Sequence, residues 1–136
     1  MRVPAPPGRL RPPTDRYGEA VDREELDRLL TPRMLAAVDA EPTPTATSDV
    51  LTRSTALRRA GFSPEETATI LTQAKLRRRA IAKFGDFASR MLFTAAGLEQ
   101  ATRLDVAAHH ANRFRGLGVE RIADLGCGIG GDALAF

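Results

Sequence analysis

The stretch "DLGCGIGGDALAF", residues 124–136, decides how this chain is read. An apolar run ends in Asp124, four glycines follow (Gly126, Gly128, Gly130 and Gly131), and "GDALAF" starts like a helix. A strand, a glycine bend and a helix N-terminus bring backbone N–H groups up to a ligand. Glycine is needed because a Cβ would block both the tight turn and the close approach. Gly126, Gly128 and Gly131 also satisfy Gly-x-Gly-x-x-Gly, so an NAD-type dinucleotide site stands as a rival reading. No Gly-Lys-Ser/Thr follows, which excludes a P-loop. A glycine turn that holds no ligand is the third reading.

Asp124 separates these readings by charge. It sits two residues before the first glycine, at the lip of the expected strand, where a carboxylate would repel a pyrophosphate but attract a cationic ligand. "DLGCGIGGD" resembles the first motif of class I S-adenosylmethionine-dependent methyltransferases, in which the acid and the glycine turn bear against the cationic methionine end of the cofactor. Upstream, "FTAAGLEQATRLDVAAHHANRF" is similar to the segment before that motif in trimethylguanosine synthase and its bacterial relatives, a family that acts on RNA. Glu99 and Gln100 stand where that family tends to place an aromatic residue. The resemblance covers roughly residues 83–136 and implies S-adenosylmethionine as cofactor, with Phe93, Thr102, Asp124, Gly126, Cys127, Gly128 and Gly130 around it. It also implies that the catalytic residues lie beyond residue 136, so that this piece alone is inactive.

The fold expected is mainly α: a helical N-terminal region, then the first β-strand, glycine loop and helix start of a truncated α/β Rossmann-like methyltransferase domain. Residues 1–18 hold five of the nine prolines and few large apolar groups, the composition of a flexible tail. Residues 19–90 form the helical domain and 91–136 the cofactor-cap segment with the start of the methyltransferase domain. Leu26, Leu29 and Leu30 mark a first helix after Asp22. Thr31-Pro32 is an N-cap with proline at the first helical position, starting a helix with Met34, Leu35 and Val38 inward. "EPTPTATS" is a linker. Ser48 caps a third helix carrying Val50, Leu51 and Leu57, which Gly61 ends. "SPEE" is a capping box, with Ser63 and Glu66 as the reciprocal pair. It opens a long helix over about residues 64–83 with Ile70, Ala74, Ile81 and Phe84 on one stripe. Gly85 breaks that helix, and a short helical or irregular piece runs to Arg90. "MLFTAAGLEQAT" reads as an extended stretch and a loop, and Thr102 with Asp105 begins the next helix.

Net charge is +3, but residues 51–90 hold nine Lys and Arg against three acids. Lys75, Arg79 and Lys83 line one side of the long helix, where they are either an RNA-phosphate contact or a solvated face. RNA is thus a possible partner, and a basic helical nucleic-acid-binding module without catalysis is a further reading. His109 and His110 point about 100° apart on a helix, a poor arrangement for one metal, so no metal is expected. Cys127 is the only cysteine and has no base near it in sequence. No apolar run approaches the ~18 residues of a membrane helix, and the N-terminus lacks the apolar core of a secretory signal, so a cytoplasmic location is expected.

Overall fold

A computed structural model describes residues 23–41 and 47–136, the side chains of 47–49 excepted. Six α-helices form the body: α1 (Arg23–Leu29), α2 (Pro32–Ala40), α3 (Thr47–Arg59), α4 (Pro64–Phe84), α5 (Ala95–Gln100) and α6 (Leu104–Gly116). A 3-10 segment, Gly85–Arg90, joins α4 to α5. The expected proline-rich tail and residues 42–46 of the "EPTPTATS" linker lie outside the described residues; Ser48 lies within α3, which includes Thr47, and so is not its N-cap.

The helix ends follow the local chemistry. Thr31 caps α2 through Met34 N, with Pro32 at the first position. Gly61 closes the turn after α3 at φ +84°, a conformation that favours glycine. The Ser63/Glu66 capping box is complete: Ser63 Oγ accepts from Glu66 N at 3.1 Å, and Glu66 Oε2 accepts from Ser63 N at 2.7 Å.

The 21-residue helix α4 carries two cores along its length. Toward its N-terminus, Ile70 packs with Leu29, Met34, Val38, Leu57 and Phe62. Farther along, Leu76, Ala80 and Phe84 pack with Ala88, Phe93 and Leu98. Polar side chains stitch the two halves together. Gln73 pairs with the backbone of Phe93 in both directions, at 2.8 and 3.0 Å. Arg77 donates to Met91 O, Val38 O and Asp39. Ile81 departs from the expected stripe: it lies on the right side of α4 but is 55% exposed. Among the described residues no helix covers that point, and Ile81 lines an open groove of about 860 Å³ between α2, α4 and the 3-10 segment. Val50 and Leu51 of α3 are likewise exposed, leaving Leu57 as that helix's contribution to the core.

Three expectations are corrected in the second half. Residues 95–100 are helical: Thr94 Oγ1 accepts from Gly97 N and starts α5 where a loop was expected. Thr102 does not cap α6, whose N-cap is Arg103 without a side-chain bond. The expected β-strand leading into the glycine loop is not formed, and the described residues contain helices and turns only. Residues 119–124 are irregular and exposed. The physical reason is that a lone strand has no ladder to satisfy its N–H and C=O groups, so solvent takes them instead. The Rossmann-like start is therefore absent from this fold. Residues 130–136 form successive turns, with Leu134 N bonded to Gly130 O and Phe136 N to Asp132 O.

Candidate functional site: the glycine loop on the α5–α6 junction

The loop 124–132 has two unlike sides. On the outer side, ideal Cβ atoms built at Gly126, Gly128 and Gly130 meet nothing within 4 Å, and Gly128 and Gly130 adopt φ +54° and +81°. A side chain at either of these two would strain the backbone, so glycine keeps both the shape and the open face. The Asp124 side chain accepts from Gly126 N at 3.1 Å and sets the entry turn. The exposed residues Cys127 and Gly128 follow that turn. They line an open bend beside an exposed carboxylate.

The inner side is held by contact. Ile129 packs onto the second core and sits over Gly97, where an added Cβ would lie 2.6 Å from Ile129 Cγ2. Gly131 is buried, and its Cβ would stand 3.0 Å from Thr102 O and 3.5 Å from the Phe84 ring. Asp132 completes the attachment. Its Oδ2 accepts from Thr102 Oγ1 at 2.7 Å, and its Oδ1 lies 2.8 Å from His110 Nδ1. The Thr102 hydrogen bond, followed by that to His110, holds the Asp132 carboxyl below the ordinary aspartate range.

The residues singled out from sequence are distributed unequally around this loop. Asp124, Gly126, Cys127, Gly128 and Gly130 lie on its open face, with Cys127 Sγ directed to Gly128 O at 3.7 Å. Thr102 sits behind it. Phe93 is 3% exposed, its ring tilted against Phe84 at 5.8 Å, which places it inside the core and away from the open face. Lys75 and Arg79 are exposed on α4. Lys83 is turned toward α5 and donates to the carbonyls of Leu98, Glu99 and Ala101 at 2.7–2.9 Å, binding the helix C-terminus where a cation is favoured.

Sequence reasoning missed Asp132 and His110 as a pair. The signal for Asp132 was an acid directly behind the double glycine, in the first turn of the next segment. Nothing in sequence linked it to His110, 22 residues earlier. A groove of about 570 Å³ runs between α6 and residues 122–125, lined by His110, Arg113, Phe114, Asp124 and Phe136 among others. Among the described residues no group of His, Cys, Asp and Glu is arranged to hold a metal ion, and no helix is long and apolar enough to cross a membrane.

One family model matches the chain, a domain of unknown function (DUF8688), over residues 22–80. It covers α1 to α3 and most of α4, including the whole of the first core, and ends before the glycine loop. No curated protein and no solved structure matches the chain.

Proposed function

We propose that this chain carries the cofactor-facing part of an S-adenosylmethionine-dependent methyltransferase that acts on RNA in the cytoplasm. The observation that carries the reading is the two-sided loop: a side-chain-free bend, open outward beside the Asp124 carboxylate, fastened from behind by Ile129, Gly131 and Asp132. The cofactor supplies a methyl group on a positively charged sulfonium and carries a second cation at its ammonium. An exposed carboxylate beside a side-chain-free bend suits the methionine end, which is cationic at the ammonium and sulfonium. A pyrophosphate at the same place would meet Asp124 as a like charge, which disfavours the dinucleotide reading.

The chain's own work in this reading is positional. Gly128 and Gly130 give the ligand access, and Asp124 orients it by charge. Thr102 and Asp132 keep the loop from moving, which matters because transfer between two bound groups depends on alignment. Lys75 and Arg79 offer phosphate contacts on the outer face of α4, while Lys83 serves the junction. Calorimetric titration of the intact protein with S-adenosylmethionine tests the assignment. Binding is expected for the wild type and its loss for Asp124→Ala; equal affinity in the two proteins would remove Asp124 from the site.

A further inference from the structure

Behind the glycine loop stand three side chains whose chemistry reaches further than fastening. Both oxygens of Asp132 are engaged, one by Thr102 and one by His110, and the carboxyl is held in its charged form. A carboxylate only accepts hydrogen bonds, so the hydrogen between the two groups belongs to His110 Nδ1. That sets the neutral tautomer. Nε2 is left with the lone pair, and Asp132 stands ready to stabilise the imidazolium that would form on protonation.

We infer that His110, with Asp132 as its positioning residue, is the proton acceptor for an aromatic heterocycle with an acidic N–H that enters the groove between α6 and residues 122–125. The groove volume falls within the range of small-molecule sites. Phe114 and Phe136 meet edge to face at 5.4 Å and provide an apolar wall suited to a flat ring. Asp124 and Arg113 supply an acceptor and a donor around it. The charged groups that share this groove with His110 are Asp132, Asp124 and Arg113. The step is a proton transfer: the ligand N–H bond breaks, its electron pair stays on the ring nitrogen, and the proton moves to Nε2, from which solvent later removes it. In one respect this rests on the methyltransferase reading, which makes that nitrogen the methyl acceptor.

Imidazole nitrogen NMR on the full chain tests it, with His109, on the adjacent and exposed position of the same helix, as internal reference. Neutral His110 is expected to carry its proton on Nδ1, and Asp132→Asn to abolish that preference. Inosine, which has an acidic ring N–H, should shift the His110 and Phe114 signals; 1-methylinosine, which lacks it, should shift Phe114 alone. A proton on Nε2, or the same His110 response to both nucleosides or to neither, would overturn the inference. Failure of the methyltransferase reading registers separately, as absent S-adenosylmethionine binding, and leaves these signals to decide the proton acceptor on their own.

Discussion

The two ends of this molecule handle apolar side chains in opposite ways. Around the first half of α4, Leu29, Met34, Val38, Leu57, Phe62 and Ile70 are each at most 8% exposed. In the last twenty residues, Leu117, Val119, Ile122, Leu125, Leu134 and Phe136 are all at least 39% exposed, and Leu125 reaches 99%. Composition does not explain the contrast, since both regions are rich in aliphatic residues. Backbone chemistry does. A helix bonds its own N–H and C=O groups, so once capped it needs a neighbour only for its apolar stripe. An irregular or extended segment needs a neighbour for its backbone as well. The glycine loop packs against the body only where it borrows the α5–α6 junction, through Ile129, Gly131 and Asp132.

The contrast can be broken most forcefully at Ile70, which is fully buried. Ile70→Ala should cost about 2–5 kcal/mol in urea unfolding, because the cavity would lie among core side chains of α1, α2 and α3. As α4 also carries the second core, the loop should be lost in the same transition. Lys83→Met should act more narrowly. It removes three charge-assisted bonds to the end of α5, a loss of about 1.5–3 kcal/mol if felt as one such bond to a charged group. Hydrogen exchange is expected to quicken over 95–102 and 129–132 while residues 64–76 keep their protection. Equal acceleration along the whole of α4 would mean that the two cores are one cooperative unit, and the division drawn here would fail.

What the sequence disclosed follows the same division. Caps and breakers act within four residues, so Thr31-Pro32, the Ser63/Glu66 box, Gly61 and Gly85 were all legible. Leu57, Ile70 and Phe84 were legible as core from helical periodicity. Ile81 was not, because periodicity gives the side of a helix and not whether another element covers it. Residues 95–100 misled because two alanines followed by glycine resemble a loop in composition, although Thr94 caps the helix they form. Thr102 misled for a different reason: its hydroxyl is taken by Asp132, thirty residues away, and a long-range bond leaves no local trace. The strand expected before the loop failed on the same ground, since a short apolar run says nothing about whether a partner strand exists. The positive φ of Gly128 and Gly130 was foreseeable from composition; the burial of Gly131 against Thr102 was not.

The smallest expected effect is confined to the loop's attachment and depends on pH. The folded-state pKa of Asp132 lies below the ordinary 3.8, which the unfolded chain should approach, so its carboxylate stabilises the folded state above that value. The contribution fades as pH falls through the lowered folded value, where Thr102 and His110 lose their acceptor. Amide signals of Gly131 and Thr102 should therefore move in acid with a midpoint below 3.8, and Asp132→Asn should abolish that step. The Ile70 amide, far from the attachment, should not share the midpoint. A step that survived in Asp132→Asn would assign the acid sensitivity to another carboxylate. The loop would then be held chiefly by Ile129 seated over Gly97, an apolar contact indifferent to pH.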